Sequence, residues 1–127
     1  VITSKCFTHS GSMRNLLRTV YERGNQEEID RMLDFTAADR HVGPHTPPTF
    51  IMHTCLDNVV PVMNSILFSE ALAKNKIDFE MHIFERGNHG MATANHTTSF
   101  GVPDFTTKNP VAAWIKMSCD WLWAHFK

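Results

Sequence analysis

Two residues, Asp57 and His89, stand where side chains could carry out acid–base chemistry. Asp57 follows the apolar stretch "TFIM" at 49–52, and His89 follows the alternating stretch "IDFEMHIF" at 77–84. A carboxylate that is hydrogen-bonded to an imidazole fixes the tautomer and the orientation of the ring, and the histidine can then act as a general base. The sequence therefore predicts an acid–base pair, provided that the fold brings the two positions together.

Each of the two residues also has an ordinary interpretation. Asp57 alone is typical of a turn or of a helix cap, and His89 alone is typical of a surface loop. Gly87 and Gly90 flank His89, and glycine permits the tight loop that is needed to direct an imidazole across the ends of strands. The decision between the two interpretations depends on the elements that carry the residues.

The two stretches before Asp57 and His89 are predicted to be strands. The run at 49–52 is preceded by prolines and followed by polar residues, and is typical of a strand buried on both faces, as in a parallel sheet. The run at 77–84 alternates in polarity, and this predicts a strand with one wetter face. That wetter face would be formed by Asp78, Glu80 and His82.

Helical patterns lie between and around the strands. We expect Pro61 in the first turn of a helix that runs to "AKNK" at 73–76, with Asn75 as a left-handed cap. A short helix is predicted from Glu27 to about Leu33. A last helix is predicted to begin at Asn109 and Pro110, and its apolar face is expected to be core packing under the sheet. This face comprises Val111, Trp114, Ile115, Trp121 and Leu122.

The order strand, helix, strand, helix predicts a βαβ unit with parallel strands and a right-handed crossover. In sheets of this kind, ligands bind beyond the carboxyl ends of the strands. Asp57 and His89 should therefore emerge on the same rim of the sheet, one strand apart. The irregular stretch at 91–109 either borders a substrate pocket or is simply a long loop.

The residues around the acid match a family pattern. His53, Thr54, Asp57, Val60 and Pro61 fit the pattern H-T-x-x-D-x-x-V-P. Leu56 departs from this pattern, because an acidic residue is common at its position.

The residues around the histidine match a second pattern of the same family. His82, Phe84, Gly87, His89 and Gly90 fit H-x-F/Y-x-x-G-x-H-G. With the tryptophan-rich last helix, the chain resembles the C-terminal half of an α/β-hydrolase of the acetyl esterase and acetylxylan-esterase-like branch, which is related to prolyl oligopeptidases. Asn88 departs from the pattern, since glycine is usual before the histidine.

This resemblance implies an α/β fold in which residues 1–127 are the C-terminal segment of a single domain, βαβα with parallel strands and an incomplete sheet. It implies a serine carboxylic-ester hydrolase that acts on a small ester or an acetylated sugar. Asp57 would be the acid and His89 the base of the triad. The acid precedes the histidine here, as the triad order of the fold requires.

The nucleophile of the resembled family has no counterpart in the sequence. The family places it in a G-x-S-x-G turn, but no two of the six glycines are four residues apart. Ser12 is not a substitute nucleophile, because it lacks the strand–turn–helix setting, and we interpret it as a loop serine. Cys55 could be a nucleophile only with an activating base. We expect the serine in a preceding part of the domain and an inactive chain without it. The alternative is a non-catalytic fragment or interaction module that keeps the fold.

Composition narrows the remaining function classes. The net charge is −1 and no basic run exceeds two residues, so neither nucleic acid nor an anionic membrane is an expected partner. Three cysteines without a close pair favour reduced thiols and a cytoplasmic protein. No metal is expected, because Gly43 and Pro44 prevent His41 and His45 from sharing a helix face and the sequence has neither an H-E-x-x-H motif nor a tight carboxylate cluster. No cofactor is expected either. We expect self-association, or pairing with a complementary N-terminal half.

Overall fold

The structure, a computed structural model, describes residues 26–95, 98 and 110–126. Cys6, Ser12 and the predicted helix start at Asn109 lie outside the described residues. The described elements are α1 (Gln26–Thr36), β1 (Thr49–Thr54), α2 (Met63–Lys74), β2 (Phe79–Phe84), α3 (Trp114–His125) and two short 3-10 helices at Ala38–His41 and Pro110–Ala113.

The strands β1 and β2 pair in parallel, from Thr49 opposite Phe79 to Thr54 opposite Phe84. The helix α2 connects them, so the predicted βαβ unit with parallel strands is confirmed. Two layers of helix cover the strands. Ser69 of α2 contacts Met81 of β2, and Trp121 of α3 packs against Phe50 of β1 at 5.9 Å between ring centroids.

The strand β1 continues two residues beyond the apolar run, to Thr54. The backbone ladder also continues, because Cys55 N–H donates to the carbonyl of Phe84 at 2.8 Å. The two added residues are polar, but their side chains find hydrogen-bond partners inside the fold. Asp57 therefore follows the strand end after a tight turn of two residues.

The helix α2 begins at Met63, two residues after Pro61, and its left-handed cap lies one residue later than predicted. The prediction for Asn75 is wrong: it has φ −90° and ψ 4°, while Lys76 has φ 58°. The N–H of Ile77 donates to the carbonyl of Leu72, which is the Schellman pattern. The side chain of Asn75 instead donates to the carbonyl of Ala71.

The predicted wetter face at Asp78, Glu80 and His82 is confirmed only in part, since Asp78 is exposed. Glu80 and His82 are half-buried, and the exposed residue of the strand is Ile83. His82 is covered because it lies beside Phe50 on one face of the sheet, and Trp121 of α3 packs against Phe50 there. Nε2 of His82 and Oε1 of Glu80 lie 2.6 Å apart there and form a hydrogen bond.

The last helix has a 3-10 turn before its regular part, and its predicted core face is confirmed only in part. Val111 and Trp121 are buried, but Leu122 is 49% exposed. Met91, Ala94 and Val111 form a small buried cluster on this side of the sheet.

The helix α1 exists as predicted and runs three residues beyond Leu33, to Thr36. In the part of the chain that is described, no helix is long and apolar enough to cross a membrane.

Candidate active site

A turn that follows β1 directs the carboxylate of Asp57. The N–H of Asp57 donates to the carbonyl of Thr54, and its Oδ1 accepts the backbone N–H groups of Val59 at 2.9 Å and Val60 at 2.8 Å. An aspartate that bonds the backbone two and three residues ahead is a turn-forming residue. The turn orients Oδ1 toward the backbone, and Oδ2 is the oxygen that meets the rest of the site.

Asp57 is held in its ionised form. Burial by itself raises the pKa of this carboxyl group, and its side chain is only 9% exposed. The hydrogen bonds from Val60, His89 and Val59 outweigh that effect, so the pKa of Asp57 lies below its ordinary value. The site therefore holds a negative charge at neutral pH.

The loop that carries His89 is fixed at its start by Gly87. The hydroxyl of Thr54, a buried residue at the end of β1, donates to the carbonyl of Gly87 at 2.8 Å. Gly87 has φ 147°, and a Cβ at this position would lie 2.3 Å from Sδ of Met91 and 2.6 Å from Cγ2 of Thr54. Only glycine fits this conformation and this close approach.

The loop is anchored beyond His89 as well. Met91 is buried against Ala94 and Val111, and Trp114 donates its indole N–H to the carbonyl of Ala92 at 2.8 Å. Ala92 and Ala94 both have positive φ values, 45° and 49°. His89 thus sits between two anchored points, which limits the positions its imidazole can take.

The two residues predicted to form an acid–base pair, Asp57 and His89, are in contact. Nδ1 of His89 lies 2.9 Å from Oδ2 of Asp57, across 32 residues of chain. The carboxylate can only accept, so Nδ1 carries the proton and Nε2 is the basic nitrogen of the neutral ring. The side chain of His89 is 37% exposed, whereas that of Asp57 is 9% exposed. The acid is thus enclosed and the imidazole lies at the surface, which suits a base that must reach a reacting group.

A cavity of about 210 Å³ adjoins the pair. Its walls come from the end of β1, from Asp57 and from the His89 loop. The lining residues are Met52, His53, Thr54, Asp57, Asn88, His89, Gly90, Met91 and Ala92.

His53 is a third member of the site to which the sequence assigned no role. Its Nε2 lies 3.6 Å from Oδ2 of Asp57, and the side chain is 11% exposed. The signal was present as part of the first motif, four residues before the acid. Its position beside the carboxylate depends on the turn after β1, which periodicity does not predict.

The other side chains considered for chemistry lie elsewhere. His82 contacts Glu80, and His41 contacts the backbone carbonyl of Asp34. Cys55 is an exposed, free thiol in the turn before Asp57. The residues described contain no group of three or more histidine, cysteine or acidic side chains that could hold a metal ion.

Comparison with known proteins connects this geometry to a family. Residues 3–101 match the prolyl oligopeptidase family. The chain is 41% identical over 95 residues to endo-1,4-beta-xylanase B of Butyrivibrio fibrisolvens, and the match covers 75% of this chain and 14% of that protein.

Solved structures of two hydrolases are also similar to the chain. An acetyl ester-xyloside bifunctional hydrolase from Caldicellulosiruptor lactoaceticus is 38% identical with a TM-score of 0.55, and a carboxylesterase from Lactobacillus plantarum is 31% identical with a TM-score of 0.63. Each match covers 68% of this chain, but only 28% and 31% of those proteins. The chain thus spans less than a third of the length of these relatives.

Proposed function

Because the chain belongs to the prolyl oligopeptidase family and has part of the α/β-hydrolase fold, we propose that it supplies the acid, Asp57, and the base, His89, of a serine carboxylic-ester hydrolase. The observation that carries the proposal is the 2.9 Å contact between His89 Nδ1 and Asp57 Oδ2 at the carboxyl ends of two parallel strands. The rim of the sheet is where open α/β folds bind their ligands.

Each group would then have a separate role in ester hydrolysis. A serine hydroxyl attacks the carbonyl carbon of the ester, and Nε2 of His89 takes the hydroxyl proton. His89 then carries a positive charge, which the ionised Asp57 stabilises across the Nδ1 hydrogen bond. The imidazolium returns the proton to the departing alcohol, and a water molecule attacks the acyl-enzyme by the same route in the second half of the cycle.

In this proposal, the nucleophilic serine belongs to a part of the protein outside these 127 residues. No pair of glycines in the sequence has the spacing of a G-x-S-x-G turn. Residues 1–127 would then be the C-terminal segment of one α/β-hydrolase domain, which agrees with the small share of its relatives that the chain covers. The serine and the oxyanion hole would come from the preceding segment.

The proposed substrate is a small ester, with an acetylated sugar as the first choice. Support comes from two relatives, one described as an acetyl ester-xyloside hydrolase and the other as a carboxylesterase. The half-exposed position of His89 at a shallow cavity suits a small acyl group that approaches from solvent.

The test compares this chain with the same polypeptide extended upstream by about 150 residues, roughly the missing share of one domain. The extension should contain G-x-S-x-G and should hydrolyse p-nitrophenyl acetate, while the 127-residue chain alone should not. A serine-directed phosphonate should label the extension. Labelling of a residue within the 127, together with turnover by the chain alone, would refute the proposal. An upstream sequence without such a motif would favour the non-catalytic alternative.

A further inference from the structure

We propose that His53 is a positioning residue for the acid–base pair, because it holds the turn that directs Asp57 toward His89. The proposal rests on the proposed function, in which the orientation of that carboxylate matters. It assigns a role to a buried imidazole that the triad mechanism itself does not use.

Both nitrogens of His53 are engaged. Nε2 lies 3.0 Å from the carbonyl oxygen of Val60, and Nδ1 lies 2.7 Å from the hydroxyl oxygen of Ser65. Val60 belongs to the turn after β1, and Ser65 belongs to the first turn of α2. His53 itself is the penultimate residue of β1. One side chain therefore connects a strand, a turn and a helix.

The partners fix the tautomer of His53. A carbonyl oxygen can only accept, so Nε2 carries the proton and donates it to Val60. Nδ1 of the neutral ring is then an acceptor, and the hydroxyl of Ser65 donates to it. Oδ2 of Asp57 lies 3.6 Å from the same Nε2, which is too long for a hydrogen bond, so the N–H of His53 donates to Val60.

Val60 connects His53 to the carboxylate of Asp57 through two hydrogen bonds. Its N–H donates to Oδ1 of Asp57 at 2.8 Å, while its C=O accepts from His53. A residue bound at both its N–H and its C=O cannot rotate without breaking one of the two bonds. The Oδ1 atom of Asp57 is fixed by this arrangement, and the position of Oδ1 determines where Oδ2 meets His89.

A histidine that served only to fill space would behave differently. Removing it would lower the stability of the whole fold but would leave the tautomer of His89 unchanged in the molecules that remain folded. A positioning histidine instead sets the share of His89 that has its proton on Nδ1, since that form requires a correctly directed Asp57. A free imidazole side chain favours the proton on Nε2, so the two cases differ in a measurable way.

The experiment is ¹⁵N NMR of the histidine rings in the upstream-extended polypeptide at about pH 8.5, well above the ordinary pKa of histidine. Long-range ¹H–¹⁵N correlations report the tautomer of each neutral ring. The variants are His53→Leu, which removes both contacts, and His53→Gln, which keeps a donor that can reach Val60. Ser65→Ala removes only the Nδ1 contact, and His45→Leu is the control at an exposed loop histidine. Amide shifts of β2 report whether each variant is folded.

His89 in the unmodified protein should be mainly the Nδ1–H form. In His53→Leu, the Nδ1–H form of His89 should fall to the minority. His53→Gln should keep most of that form, and Ser65→Ala should give an intermediate share. His45→Leu should leave the share of the Nδ1–H form unchanged. An unchanged tautomer in folded His53→Leu overturns the positioning role while leaving the proposed function intact. If His53→Leu fails to fold, an unchanged tautomer in folded Ser65→Ala overturns it, because that variant loses the Nδ1 contact of His53. An Nε2–H form of His89 in the unmodified protein overturns the proposed function, and the positioning role with it.

Discussion

Thr54 and Gly87, 33 residues apart in the chain, are joined by a buried hydrogen bond of 2.8 Å from the threonine hydroxyl to the glycine carbonyl. Thr54 is the last residue of β1, and Gly87 opens the loop that carries His89. This bond fixes the histidine loop to the strand that precedes the acid. It explains how a loop holds His89 within 2.9 Å of Asp57.

Thr54→Val keeps the shape of the side chain and removes this hydroxyl. The carbonyl of Gly87 then loses its threonine donor in a buried setting, which costs about 1–2 kcal/mol of unfolding free energy. Urea unfolding of the protein measures the loss. Thr49→Val is the control, because its hydroxyl contacts Pro47 at an exposed position. A loss no larger than that of the control would mean that the bond does not hold the loop.

Gly87→Ala tests the close packing at the start of the histidine loop. The added methyl group would lie 2.3 Å from Met91 Sδ and 2.6 Å from Thr54 Cγ2, at φ 147°. We expect a loss of about 2–5 kcal/mol, from backbone strain and overpacking together.

Gly90→Ala is the matched control for that substitution. Gly90 has φ 73°, but no heavy atom lies within 4 Å of a Cβ built there. Only the backbone cost of about 1–2 kcal/mol remains. Equal losses in the two variants, measured by urea unfolding, would contradict the crowding at Gly87.

The lowered pKa of Asp57 predicts a pH dependence of stability. A carboxyl group with a lower pKa in the folded state adds stability above its unfolded pKa, about 3.9. That contribution is lost as the pH falls through the folded value. Asp57→Asn should therefore be less stable than the unmodified protein at pH 6, and the difference should shrink below about pH 4. Asp78→Asn removes the same charge from an exposed loop and serves as the control. A difference that stays constant from pH 6 to pH 2 would contradict the assignment.

We expect the 127-residue chain to self-associate. Within the described residues the sheet has two strands, and sheets of this size are marginally stable without further partners. Several large apolar side chains are exposed as well: Phe35 at 75%, Trp123 at 70%, Phe126 at 62% and Leu56 at 60%. Sedimentation velocity at tens of micromolar should show species larger than a monomer, and the upstream-extended polypeptide should not. A stable monomer of the short chain would count against an incomplete sheet.

Much of the fold could be predicted from local patterns. Apolar runs and alternation located both strands, and helical spacing located the helix between them. The rule that parallel strands share a rim then placed Asp57 beside His89 without any knowledge of distances. Family resemblance named the same two residues independently.

What could not be predicted depends on contacts between distant elements. His82 of β2 is half-buried, although alternation placed it on the wetter face, because that face carries an aromatic cluster with α3. The left-handed residue is Lys76 because Asn75 still donates its backbone N–H to the carbonyl of Ala71, as a residue of the last helical turn does. His53 gained its role from Ser65, twelve residues away on a different element.

The most direct test of the central claim is a double-mutant cycle on kcat/KM in the upstream-extended polypeptide. The four proteins are the unmodified enzyme, Asp57→Asn, His89→Ala and the double variant, with p-nitrophenyl acetate as substrate. Asp57→Asn should lose on the order of ten-thousand-fold, as expected when an acid fixes the tautomer of its base, and His89→Ala should lose at least as much. The double variant should match His89→Ala, because residues that act as one unit have non-additive effects. Losses that multiply, or near-normal activity in Asp57→Asn, would contradict the account.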